Sequence, residues 1–308
     1  MRNSRRIRGG AALLGVALLT GGLVAGPADA KTEGSAGTTN ACQQQIGMTS
    51  YWDTGSVDWY TVIAGSHPAV SAGRTAANVY PPNTLKLSGS FTGLPSSVAT
   101  VAHQGYVVLG SKMYISKWAA EKDGTVVPGS VQLVTVGGGW DRYKAFVNSA
   151  YKTRQTNYGL RDDGLLFRWT ILNGRWTAVQ SAGGFGSVKT MALLSQTATY
   201  DSFLAITGGG ALYTIRVPLS SPMKPVVKPV RTSTWQAFDQ LVITPCGKLG
   251  TLLFAIDRDL QVGYLYAVGH ANGLATVMQP FGRVTGAVFP AQADFRFTSD
   301  LNPPLNGE

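Results

Sequence analysis

Glutamate is scarce: the 308 residues hold three, Glu33, Glu121 and Glu308. Glu33 and Glu308 fall in the tails, and Glu121 lies in Ala120-Glu121-Lys122-Asp123-Gly124, an exposed-turn pattern. That leaves little material for the placed carboxylate pairs of glycosidic chemistry. Asp58, Asp162, Asp163, Asp201 and Asp257 mostly sit beside glycine or in turn patterns, where Asp bends and caps the chain. Histidine is equally rare (His67, His103 and His270), and no Gly-x-Ser-x-Gly elbow occurs. Asp257-Arg258-Asp259 and Asp162-Asp163-Gly164 fall short of a calcium loop. Gly208-Gly209-Gly210 is a hairpin turn rather than a phosphate cradle, because no helix follows it. The expectation is a protein that is not an enzyme and needs no metal and no cofactor. Runs at helical period longer than two turns are absent, and beyond residue 30 no segment is apolar for long enough to span a bilayer.

What is present begins with an export pattern. Arg2, Arg5, Arg6 and Arg8 precede an uncharged apolar run, Ala11 to Ala25, and Ala28-Asp29-Ala30 is a small-x-small cleavage site. Residues 1–30 are therefore expected to be a secretory signal peptide and the protein to be extracellular. Arg5-Arg6 is followed by Ile7-Arg8 instead of an apolar pair, which leaves the export route open. The net charge of +10 falls to +7 without the four arginines and one aspartate of that segment. The remaining positive residues are scattered, so the charge reads as solubility and no nucleic-acid partner is expected. The two cysteines, Cys42 and Cys246, form an even count in an exported chain and are expected to pair.

Short runs of Val, Thr, Tyr, Phe and Trp, broken by Gly, Pro and Asp, give an all-β pattern. One unit, a turn followed by an apolar residue, an aromatic and alternation, recurs around Tyr60, Tyr114, Phe167, Tyr213 and Tyr266, at spacings of 54, 53, 46 and 53. A second, a Gly-rich turn and an aromatic ahead of a strand, marks Trp140, Phe185, Trp235 and Phe281, with Phe91 as a degenerate first copy. Units of this length fit four-stranded propeller blades. One of them predicts strands over 187–195, 203–207, 211–217 and 226–232. The expected fold is a five-bladed β-propeller over residues 46–300, after a flexible leader (31–45) and before a C-terminal tail (301–308). Val284 to Pro290 is expected to supply the strand that closes the ring. In that arrangement Cys42 and Cys246 sit on neighbouring blades.

Gly138-Gly139-Trp140-Asp141-Arg142-Tyr143-Lys144-Ala145-Phe146 resembles the Gly-Gly-Trp-x-x-Phe strand opening of tachylectin-2-type lectins. Asn173-Gly174-Arg175-Trp176-Thr177-Ala178, leading to Gly183-Gly184-Phe185, is similar to the stretch before it in that repeat. The resemblance implies a five-bladed propeller that binds N-acetylated amino sugars at several equivalent sites between blades. The blades of this chain differ in length and polar content, and two of the turn tryptophans are Phe.

Flat aromatic faces with polar neighbours suit sugar rings, which makes Trp140, Trp176 and Trp235 sugar-binding candidates, with Asp141, Arg142 and Asn173 as polar partners. Aromatics packed between blades are the competing reading at each position. The expected partners are glycans of a cell wall or cell surface, bound multivalently, with the oligomeric state left open. A protein-binding scaffold and a hydrolase remain the alternatives.

Overall fold

The computed structural model describes residues 42–49, 54–290, 293–300 and 304–308. The expected signal peptide and the first part of the leader lie outside them. The described chain is built of strands, with one 3-10 turn at Trp140–Arg142.

Three four-stranded antiparallel sheets follow one another along the chain. The first holds β9 (Tyr143–Tyr151), β10 (Arg154–Arg161), β11 (Leu166–Leu172) and β12 (Arg175–Ala182). The second holds β13 (Val188–Gln196), β14 (Tyr200–Thr207), β15 (Leu212–Pro218) and β16 (Val226–Arg231), close to the strands expected from the repeat. The third holds β17 (Gln240–Cys246), β18 (Gly250–Asp257), β19 (Val262–Val268) and β20 (Met278–Arg283). Hairpins join the strands of each sheet; Asn173 and Gly174, at φ 50 and 74, make the tight turn between β11 and β12.

The remaining strands are β1 (Gln43–Thr49), β2 (Val57–Ile63), β3 (Ala69–Ala76), β4 (Leu85–Ser88), β5 (Phe91–Pro95), β6 (Thr100–Leu109), β7 (Lys112–Glu121), β8 (Gln132–Gly138) and β21 (Asp294–Thr298). They run in the order β3-β2-β1-β21-β5-β6-β7-β8, with β4 also paired to β6. These sheets are the blades of a β-propeller. Their first strands are buried on both faces, as in β13, where eight of nine residues are buried. A strand covered on both sides reads as a near-continuous apolar run rather than an alternation.

A repeated device sets the spacing between blades. The backbone N–H of Trp140 donates to the Ser111 carbonyl at 3.0 Å, that of Phe185 to Gly164 at 3.1 Å, and that of Trp235 to Gly210 at 3.0 Å. Each aromatic is thereby tucked under a hairpin of the preceding blade, and each is 6% exposed. Gly164 sits at φ 82, and a Cβ there would collide with the backbone of Gly186, so the hairpin admits only glycine.

Two further copies of the device lie where the sequence pattern did not point. Tyr80 donates to Gly55 at 2.8 Å and Phe289 to Gln261 at 3.0 Å. Phe91 instead opens β5 and packs on Phe295 and Phe297, and Phe281 belongs to β20. Tyr80 and Phe289 directly follow Val79 and Val288, where the other copies have Gly139, Gly184 and Thr234.

The closing strand also lies elsewhere. No strand forms over 284–290; the closing role falls to β21, which pairs antiparallel with β1 and parallel with β5. Its buried aromatics Phe295 and Phe297 alternate with the buried charges Asp294 and Arg296, which hides the strand from an apolar reading.

At the other seam Cys42 and Cys246 form a disulfide with Cα atoms 5.7 Å apart. Strand β1 starts at Gln43, inside the stretch expected as leader, and the buried Gln44 donates from Nε2 to Val242 O at 2.8 Å. The segment expected as a tail is also packed: Leu305 is buried, and Gly307 N–H donates to Leu194 O at 3.1 Å. No helix among the described residues is long and apolar enough to cross a membrane.

Candidate functional site

The most developed aromatic site lies where the β8 edge meets the β9–β12 blade. A cleft of about 410 Å³ is lined by Trp140, Tyr143, Trp169 and Trp176 together with Gly137, Gly138 and Gly139. Trp140 is its buried floor, held there by the wedge hydrogen bond to Ser111. The Trp169 ring stands 5.6 Å from Trp140 and 5.3 Å from Trp176; Tyr143 lies 4.4 Å from Trp140. Trp169, Trp176 and Tyr143 are half-buried, so part of each ring faces the cleft. The indole Nε1 of Trp176 is buried without a hydrogen-bond partner among the described residues.

The glycine wall has a separate logic. Gly139, at φ 81, turns the chain into the 3-10 turn. Gly137 and Gly138 have no such backbone demand, and a Cβ built on either meets nothing within 4 Å. Side chains there would project into open space, so the absence of side chains keeps the cleft open.

An aromatic stripe continues outward along β11. Phe167 stacks on Trp169 at 5.6 Å, and the Arg161 guanidinium lies 5.0 Å over Phe167. Arg161 pairs with Asp163 at 2.6 Å and holds that carboxyl down to about 2. Arg142 makes a two-point contact with Asp162, Nη2 to Oδ1 at 2.8 Å and Nε to Oδ2 at 3.3 Å. Both partners are more than half exposed and so remain available to a ligand.

Of the sequence candidates, the structure brings Trp140 and Trp176 together. Asp141 and Arg142 are exposed next to Trp140 in the chain and Asn173 caps the β11–β12 hairpin; none of the three lines the cleft. Trp235 is remote from them, a buried wedge against Phe238 at 5.2 Å and Tyr266 at 5.0 Å. Sequence reasoning missed Tyr143 and Trp169. The available signal was the two-residue spacing of Phe167 and Trp169, which puts both rings on one face of a strand.

Other sites hold the rare titratable groups. His103 stacks on Trp118 at 4.0 Å beside a second cleft of about 360 Å³, and burial pushes its pKa down to about 4. Asp239 and Asp294 line a third cavity, of about 290 Å³. Burial pushes the Asp294 carboxyl up to about 7, against the pull of Arg258. No group of three or more metal-ligating side chains occurs among the described residues.

No protein-family model matches the chain, and no curated protein does. Several solved structures are broadly similar. The catalytic domain of a GH62 α-L-arabinofuranosidase from Coprinopsis cinerea is 15% identical, with TM-score 0.42, over 66% of this chain and 74% of that one. A six-bladed β-propeller fungal lectin from Aleuria aurantia, with a fucose recognition mode, is 12% identical, with TM-score 0.42, over 80% of each chain. A periplasmic gluconolactonase from Pseudomonas aeruginosa is 10% identical, with TM-score 0.32, over 80% of this chain and 100% of that one. These likenesses are broad, and the site described above rests on this chain's own side chains.

The expectation that the chain is not an enzyme is corrected here. Proteins named as enzymes stand beside a lectin among the similar structures. The scarcity of glutamate, on which that expectation rested, does not empty the molecule of acid groups: Asp239 and Asp294 share one cavity.

Proposed function

We propose that this is an exported five-bladed propeller that binds carbohydrate in the cleft of Trp140, Tyr143, Trp169 and Trp176. The observation that carries the reading is one cleft lined by half-buried aromatic rings and by glycines on which an added Cβ would meet nothing within 4 Å. Such rings offer flat area to the C–H face of a sugar. The exposed Asp141 and Arg142, which follow Trp140 in the chain, supply polar groups near the cleft. Asn173 is a more distant polar group on the same blade. The resemblance around Gly138-Gly139-Trp140 makes N-acetylated amino sugars the first ligands to try.

Five blades are supported by the order in which first strands pack: β4 on β9, β9 on β13, β13 on β17, β17 on β21, and β21 back on β4. Export is supported by the basic, apolar and small-x-small order of residues 1–30, and by the Cys42–Cys246 bridge. The wedge at Trp235 is closed, so one strong cleft is proposed in place of several equivalent ones.

The test is a glycan array with the full-length chain, followed by titration of the best ligand. Trp176→Ala and Trp169→Ala should each weaken binding about tenfold or more, and moderate salt should leave it intact. Binding to acidic glycans alone, abolished by salt, would assign recognition to the net charge and count against the cleft.

A further inference from the structure

The first strands of the blades converge on the cavity that holds Asp239 and Asp294, and the charges around it follow a register. Lys144, Lys189 and Asp239 each stand four residues after a wedge aromatic, Trp140, Phe185 and Trp235. Lys86 joins them from β4, Asp294 from β21, and Arg258 from the turn after β18. Lys189 Nζ pairs with Asp239 Oδ1 at 2.8 Å, and Arg258 Nη2 lies 3.4 Å from Asp294 Oδ2. Two lysines of the cavity are left without a carboxylate of its own lining. Lys86 is exposed, and Lys144 donates from Nζ to the Gly186 carbonyl at 3.1 Å, which uses one of its three protons.

A second, independent observation lies deeper. A narrow channel of about 50 Å³ shares Ser88, Phe146, Met191, Gln240 and Asp294 with this cavity and is also lined by Arg296. Arg296 is 8% exposed, and its Nε and Nη1 have no hydrogen-bond partner among the described residues. A buried guanidinium with open donors is costly unless an acceptor reaches it. Asp300 is the carboxylate that acts on it through charge.

We propose that this funnel binds a small anionic group, a carboxylate or a phosphate such as acidic glycans carry. Lys86 and Lys144 hold it at the mouth, and Arg296 supplies donors further in. The site is distinct from the aromatic cleft and does not rest on that reading. The facing charges are Lys86, Lys144, Lys189 and Arg258 against Asp239 and Asp294, with Arg296 and Asp300 beyond. Protonation of Asp294 makes that set more positive. Because burial pushes this carboxyl up to about 7, the anion is held more tightly below neutral pH than above it.

The experiment is calorimetric titration of the full-length chain with glucuronate and, separately, with inorganic phosphate, glucose serving as the neutral control. Binding of either anion supports the proposal; glucuronate alone assigns a carboxylate, phosphate alone a phosphate group. Lys86→Gln and Lys144→Gln should each weaken binding about five- to tenfold, while Lys228→Gln, exposed on the outer strand β16, binds as the wild type does. Glucuronate affinity should fall severalfold between about pH 6 and about pH 8, and Asp294→Asn should remove that fall. Absence of binding by both anions would overturn the proposal, as would lysine variants that bind like wild type. Wild-type glucuronate affinity that does not change with pH would place the anion away from Asp294 and overturn the assignment.

Discussion

Gly138 shows how a residue can act by what it leaves out. It carries no backbone strain and faces open space, so a larger side chain fits it without displacing protein. Gly138→Leu should therefore keep the melting temperature within about 2 °C of wild type while filling the cleft and abolishing glycan binding. A variant that stays stable and still binds would move the sugar elsewhere. Two buried titratable groups act in the opposite way, through stability. His103 is held near pKa 4, well below its ordinary 6.5, so the unfolded chain takes up a proton that the folded chain refuses. Stability should fall as pH drops from about 6.5 towards 4, by on the order of 2–3 kcal/mol. Asp294 runs the other way. The unfolded carboxyl ionises near 3.8 while the folded one keeps its proton to about 7, so stability is lost as pH rises through that window. The two windows overlap between about pH 4 and 7, so in denaturant titrations the opposing slopes largely cancel. Asp294→Asn should uncover a rise of stability with pH across that window, and His103→Phe a fall.

At the scale of the element, the wedge aromatics and the strands they introduce were unequally legible. Trp140, Phe185 and Trp235 follow recognisable turns, and β13 to β16 fall within a few residues of the strands read from the repeat. Tyr80 and Phe289 perform the same task directly after Val79 and Val288, so a pattern that looks for a glycine or polar turn residue beside the aromatic passes over them. Strand β21 was lost for a different reason. It puts Asp294 and Arg296 in a buried position that charges occupy only when tertiary structure surrounds them. The candidate site was half legible. Trp140 and Trp176 stand out as residues beside turns, but their meeting with Trp169 depends on how a sheet folds back on itself, which spacing along the chain does not encode. Trp235, alike in sequence, is a wedge and nothing more. Trp235→Ala should cost about 3–5 kcal/mol of stability and leave glycan affinity unchanged in the surviving folded protein. A selective loss of binding without loss of stability would contradict that division of labour.

At the scale of the molecule, the ring is fastened at two points that involve distant parts of the chain. The Cys42–Cys246 bridge spans 204 residues and ties the start of β1 to the end of β17. Cys42→Ser should lower unfolding free energy by about 2–5 kcal/mol in denaturant melts, with the spectroscopic signature of the β-fold retained in buffer. A variant that melts with the wild type would show that β21 alone is a sufficient fastening. The second point is β21 itself, seated between β1 and β5.

That seat gives the order of events in the life of the chain an unusual shape. The sheet that contains β1 is begun before the other blades and finished after them, since the neighbour of β1 is made about 250 residues later, Ile46 pairing with Arg296. Until then β1 shows an unpaired edge, open to any strand that comes near, including the matching strand of another copy. Newborn chains at high local concentration thus have two choices, to shut on themselves or to lend β21 to a neighbour, and dilution favours the first because closure within one chain does not depend on concentration.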